Sequence, residues 1–193
     1  MTIESPAQRP TAEIAPLAWR ASGAPGALPA DPVLSGWLTD AGSLTARLKA
    51  ACGARFRLEL LGEAEEPAPA DAAVLLGGRT LVRARRVRMY CGDTLCVGAA
   101  TLIPAATLAA APWLGDLGDR PLGEALLERG RVYRSSFRFA PAPATHPLLA
   151  PVLRGEASPA ATLWARESEI RLAAGPLVVY EIFLPGLTRC AEH

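Results

Sequence analysis

Arg85 and Glu181 are the two residues of this chain whose types and placement could do chemistry together. Arg85 lies in the run from Arg79 to Cys96 and, on a strand, shares a face with Val87 and Met89. Glu181 lies in PLVVYEIFLP and shares a face with Leu177, Val179 and Phe183. Successive strand residues point to opposite sides, so each charge falls in an otherwise apolar stripe. A charge there costs several kcal/mol unless it is paired or occupied. Two arrangements relieve that cost. The pair can bond to each other and hold the core together. Alternatively they line a dry pocket for an anionic ligand, Arg85 as anion clamp and Glu181 as acid or base.

Few other residues compete for a chemical role. His146 sits in a Pro-rich loop and His193 is the last residue, and neither is spaced for a catalytic triad or a zinc site. Ser135 and Ser136 lack a nearby base, Asp116 and Asp119 read as turn residues, and Glu63, Glu65 and Glu66 read as a solvated loop. Cys52, Cys91, Cys96 and Cys190 form no CxxC pair and are expected as reduced thiols. Neither a GxGxxG after a strand nor a GxxxxGK[ST] loop is present, and no ligand set for a metal stands out.

The elements that must position Arg85 and Glu181 are legible in outline. Residues 1–30 are rich in Pro, Ala and Gly without periodicity and read as a mobile leader. Asp31-Pro32 caps and opens a helix carrying Val33, Leu34, Trp37 and Leu38; Gly42 breaks it, and Ser43 caps a second helix with Leu44, Leu48 and Ala51, closed by Gly53. This pair has the outline of a helix-turn-helix, but only Arg47 and Lys49 are basic on the second helix, which does not suit DNA.

Phe56 to Leu61 alternates as a strand, and GEAEEPAPADA reads as an acidic loop. Arg79 to Tyr90 and Leu95 to Ile103 form a hairpin around Gly92-Asp93. Leu108 to Leu117 reads as a short helix or turn, and PLGEALLERG as a helix stopped by Gly130. Arg131 to Phe139 alternates again, and a Pro-rich connection with one helical turn around Leu148 to Leu153 follows. Trp164 to Leu172 and Leu177 to Leu184 are the closing strands. The expected fold is α+β: one domain with an antiparallel sheet and helices packed on it. The boundaries read as a leader at 1–30, the domain at 31–187 and a C-terminal tail at 188–193.

Composition narrows the function further. Half of the 193 residues are hydrophobic and the formal net charge is +1, which argues against nucleic-acid backbone binding as the main task. Lys49 is the only lysine among many arginines. No stretch approaches the roughly 20 apolar residues of a membrane span, and MTIESPAQRP lacks the basic and apolar regions of a signal peptide. A cytoplasmic location is expected.

Four ordered blocks resemble the chorismate pyruvate-lyase family. They are WLTDAGSLTARL, RRVRMYCGDTLCVGAATLIP, GDRPLGEALL and LWARESEIRL followed by GPLVVYEIFLP, together covering about residues 31–187. The resemblance implies elimination of pyruvate from chorismate to give 4-hydroxybenzoate for ubiquinone biosynthesis. It also implies an antiparallel sheet with flaps over an enclosed site, no cofactor, and no partner beyond substrate and product. A monomer is expected. The family's pocket arginine, which binds the ring carboxylate, falls on Arg85, and its active-site glutamate on Glu181. Two ligand-contacting backbone positions fall on Leu44 and Leu122. The chain departs from the family at Ala99-Ala100-Thr101, where an arginine is frequent, and at Cys96 and Val97, where Trp-Leu is kept.

Chorismate carries two carboxylates, so a water-poor site needs fixed cations. Arg85 is the leading clamp, and Arg166 is the candidate second clamp for the enolpyruvyl carboxylate. Loss of the C4 hydrogen and the C3 substituent leaves an aromatic ring, which supplies the driving force, so Glu181 need only move or hold a proton near the 4-hydroxyl. The helix pair at 31–52 and the 104–130 segment are the candidate lids. Two further functions fit the same blocks: a non-catalytic sensor of small aromatic acids, as in effector domains of bacterial transcription regulators that share this fold, and a drifted paralogue acting on another acid of this kind.

Overall fold

The computed structural model describes residues 16–130, 132–147, 150–155 and 162–190. In chain order the elements are β1 (Arg20–Ala21), α1 (Pro32–Thr39), α2 (Leu44–Cys52), β2 (Phe56–Pro67), α3 (Ala70–Leu75), β3 (Leu81–Cys91), β4 (Thr94–Pro104) and α4 (Ala105–Ala110). They continue as α5 (Leu122–Glu128), β5 (Tyr133–Arg134), β6 (Arg138–Pro143), α6 (Ala150–Leu153), β7 (Thr162–Leu172), β8 (Gly175–Phe183) and α7 (Gly186–Cys190).

The strands form one antiparallel sheet in the order β1-β6-β7-β8-β4-β3-β2, with β5 also paired to β7. The fold is the expected α+β domain. β3 and β4 join tightly at Gly92, whose φ of +61° suits a glycine. From that turn β4 runs to Pro104 in the interior of the sheet, buried from Leu95 onward.

The two faces of the sheet differ. On one lie Val87, Met89, Val97 and Phe183, packed under Trp37, Leu38, Leu44 and Leu48 of α1 and α2. Farther along that face Ile103, Ile170, Leu177 and Val179 meet Ala125 and Leu126 of α5. On the other face Val82, Ala84, Ala100, Leu102, Val178, Tyr180 and Ile182 pack against Ala72 and Leu76 from α3 and its end, and Leu153 from α6. The period-two alternation read for β3 and β8 is therefore what the sheet uses.

The roof over the first face is set by its caps. The Asp31 carboxylate accepts from the N–H groups of Val33 and Leu34, with Pro32 at the first turn of α1. Ser43 accepts from Ala46 N–H at the start of α2. Between them Asp40 accepts from Gly42 N–H at 2.8 Å and is paired to Arg47 at 3.0 Å. The Gly42 hydrogen bond leads in holding the Asp40 carboxyl below its usual range, with Arg47 adding to it against burial.

Several expectations change. The acidic stretch after Leu61 is not a solvated loop: β2 continues to Pro67, bulged between Leu60 and Gly62, with Glu63 opposite Arg85 and Glu66 bonded to Arg86. Facing arginines on β3 give these carboxylates partners that a single segment does not reveal. The alternating run at 131–139 divides into β5 and β6, both on β7. The leader drawn to residue 30 is packed from Leu17, because Leu17 and Trp19 cover the second face and β1 pairs with β6. Residues 188–190, drawn as tail, belong to α7, whose Leu187 and Cys190 are buried. The rest of the leader, Leu148 and His193 lie outside the described residues. The four cysteines are free and buried, and burial pushes the Cys52 thiol up to about 12.

Candidate active site

A half-open cavity of about 290 Å³ lies between the first face of the sheet and the roof. Val87, Ala99 and Thr101 contribute to its floor, the α1–α2 turn at Ala41–Ser43 forms one wall, and Pro121 to Gly123 at the start of α5 forms another. Arg85 and Glu181 both line it. Arg85 pairs in register with Thr101, and Glu181 with Ala99. They are two strands and one side-chain row apart, which puts their backbones roughly 12 Å from each other. Of the two arrangements open from sequence, the residues do not bond to each other: each has another partner.

Arg85 is 2% exposed. Its Nη2 donates to the carbonyls of Gly118 and Arg120 at 2.8 and 3.0 Å, fastening the loop before α5. Its Nε stands 3.8 Å from Glu63 Oε1 without a hydrogen bond. Burial lowers the pKa of this guanidinium, opposed by Glu63 and then Asp119, yet an arginine stays charged at any physiological pH. A buried cation whose one ion-pair partner among the described residues stands 3.8 Å away has donors to spare for an anion.

Glu181 is 7% exposed, and its Oε2 accepts from Arg166 Nε at 2.5 Å. Its Oε1 has no hydrogen-bond partner among the described residues, and the residue lines the cavity. Arg166 itself is fully buried behind that wall. Its Nη1 donates to the carbonyls of Trp37, Leu38 and Asp40 at 3.3, 3.0 and 3.0 Å, and its guanidinium carbon lies 4.2 Å from the Phe137 ring centroid. It thus ties the carbonyl end of α1, where cations are favoured, to the sheet and orients Glu181. Arg166 was the candidate second clamp; the structure does not bring it to the cavity.

Leu122 lines the cavity, whereas the Leu44 side chain is buried in the core and its chain neighbours Ser43 and Thr45 line the wall. Either leucine can still present backbone groups there. Lys49 Nζ bonds Glu124 Oε1 at 2.5 Å and joins α2 to α5 on the outside. His146 is buried in the loop after β6 and does not line the cavity. Among the described residues no group of histidine, cysteine and carboxylate side chains could hold a metal ion.

Two residues of the site are invisible to single-segment patterns. One is Glu63, across from Arg85. The other is Arg134, on the cavity wall. Burial lowers the pKa of its guanidinium, the field of Glu181 opposing and that of Arg166 adding. A basic residue just past the Gly130 helix stop is the one signal it left.

Comparison with known proteins fits this geometry. The family model described as chorismate lyase matches residues 19–190. The chain belongs to that family. A protein named "Probable chorismate pyruvate-lyase" from Methylococcus capsulatus is 37% identical over 164 residues, covering 82% of this chain and 99% of that protein. One of the same name from Cupriavidus metallidurans is 40% identical over 170 residues, covering 81% and 76%. Among solved structures, the effector domain of PhnF from Mycobacterium smegmatis aligns with a TM-score of 0.52 at 17% identity, over 75% of this chain and 89% of that one, a likeness of fold alone.

Within the chorismate lyase family, the departures of this chain can now be placed. Ala100, where an arginine is frequent, pairs with Arg86 and Tyr180 and faces the second side of the sheet. Its side chain does not line the cavity. Cys96 is buried with its Sγ 3.3 Å from that of Cys190, and Val97 packs beside Met89 under α1 and α2. Neither lines the cavity.

Proposed function

We propose that the protein is a chorismate pyruvate-lyase that converts chorismate to 4-hydroxybenzoate, the ring precursor of ubiquinone, and pyruvate. The observation that carries this is that Arg85 and Glu181 line one small cavity while each keeps a polar atom without a hydrogen-bond partner among the described residues. The ring carboxylate takes the spare donors of Arg85, supported by backbone groups near Leu44 and Leu122. The 4-hydroxyl donates to Glu181 Oε1, which Arg166 holds in place.

With the ring so held, the C3–O bond breaks, C4 loses its hydrogen and the ring becomes aromatic. The electron pair of the C3–O bond leaves with the enolpyruvyl oxygen, and the methylene carbon gains a proton, completing pyruvate. Aromatisation drives the reaction, so the protein's contribution is orientation and a fixed electrostatic frame. This chemistry calls for no cofactor.

Incubating the protein with chorismate and following 4-hydroxybenzoate absorbance is the direct test. Stoichiometric formation of both products is expected. Binding without turnover would instead make it a sensor, and neither binding nor turnover would make it a paralogue with another acid as ligand.

A further inference from the structure

Of the two guanidinium groups that line the cavity, Arg85 and Arg134, Arg134 has no carboxylate in ion-pair contact among the described residues. It stands in β5, in register with Ile170, on the cavity face of the sheet. β5 joins the sheet beyond β7, whereas Arg85 comes from β3 on the other side of β8 and β4. The two cations therefore approach the cavity from opposite walls, with Glu181 of β8 between them. Among the described residues Arg134 has no hydrogen bond or ion pair; its nearest ring contact is Phe137, 5.6 Å from the guanidinium carbon to the centroid. Arg166, by contrast, gives its Nε to Glu181 and its Nη1 to three carbonyls, only its buried Nη2 lacking a hydrogen-bond partner among the described residues, and it does not line the cavity. A half-buried guanidinium without a partner, facing a cavity, is an anion site waiting for its anion.

We infer that Arg134 binds the enolpyruvyl carboxylate of chorismate and so selects the substrate over the product. The inference rests on the lyase function proposed above and names a residue for it. The geometry of the substrate requires such a group. With the C1 carboxylate on Arg85 and the 4-hydroxyl on Glu181, the C3 substituent lies next to the hydroxyl, at the Glu181 end and away from Arg85. Arg134 enters from that side. In the reaction the same carboxylate stays on the departing pyruvate, so Arg134 holds the leaving fragment while the C3–O bond breaks. 4-Hydroxybenzoate lacks this carboxylate and cannot use Arg134, which favours its release.

Arg134→Gln and Arg134→Lys test this by comparing two ligands. In Arg134→Gln, kcat/KM for chorismate should fall roughly 30-fold or more, as for truncating one partner of a close charge pair. The dissociation constant of 4-hydroxybenzoate, read by tryptophan fluorescence, should stay within about threefold, which also reports an intact fold. Arg134→Lys keeps the charge without the fork and should recover part of the loss. Equal weakening toward both ligands would mean a structural role and overturn the inference, as would an unchanged kcat/KM. Absence of turnover by the wild-type protein would overturn the lyase function and this inference with it. Turnover that Arg134→Gln leaves intact would overturn this inference alone.

Discussion

Arg166 reaches Glu181 from the adjacent strand, Nε to Oε2 at 2.5 Å, while the same guanidinium holds the last carbonyls of α1. The cavity acid and the roof thus share one fastening. Arg166→Met should cost about 3–5 kcal/mol of stability, because it leaves Glu181 buried and unpaired. The double variant Arg166→Met with Glu181→Met should regain much of that stability and none of the turnover, since apolar replacement of both partners is tolerated where removal of one is not. Urea unfolding and a chorismate assay on the three variants separate the two effects. A single variant as stable as wild type would show that the pair holds nothing.

Glu181→Gln should lower kcat by about 10²–10³-fold, the range for losing one preorganised hydrogen-bonding group at the reacting centre. Binding of 4-hydroxybenzoate should change much less, because the amide still meets the phenol. Turnover at the wild-type rate would remove Glu181 from the reaction.

For Arg85, truncation to alanine should weaken 4-hydroxybenzoate binding by roughly 2–5 kcal/mol, measured by titration calorimetry. Some of that loss is indirect, since Gly118 and Arg120 lose their donor. Unchanged affinity would place the ring carboxylate elsewhere.

On the second face of the sheet, Glu167 lies between its strand neighbours Arg138 and Tyr180, 1% exposed. Burial raises its carboxyl to about 7, against the pull of Arg138 and with the push of Asp71. The folded state therefore holds a proton that the unfolded chain has already released between about pH 4.3 and pH 7. The stability from this group is full below that window and is lost as pH rises through about 7. The loss amounts to at most about 4 kcal/mol. The urea midpoint should fall from pH 5 to pH 8, and Glu167→Gln should flatten that fall. Parallel profiles for the two proteins would contradict it.

What could be read from the sequence was whatever depends on one segment. Parity alone put Arg85 with Val87 and Met89, and Glu181 with Val179 and Phe183, on their shared faces. Asp31, Pro32 and Ser43 marked their helix starts by local hydrogen-bonding chemistry. Properties that depend on register between segments could not be read. The bulge before Gly62 decides that Glu63 meets Arg85, and nothing within GEAEEP announces it. The break between β5 and β6 decides where Arg134 points, while the alternation of 131–139 suggested one uninterrupted strand. Arg166 looked like a second clamp because its type suited the task; only the approach of α1 from more than a hundred residues earlier in the chain gave it different work.

The pleat of β4 has a consequence for how this protein can change over time. Thr101 and Ala99 look toward the cavity, while Ala100 between them looks toward Tyr180 and the N-terminal Trp19 side. Neighbours in the chain thus answer to separate selective demands, one set by chemistry and the other by folding. A substitution at Ala100 therefore alters packing without reaching the cavity, whereas one at Ala99 or Thr101 changes the cavity lining directly.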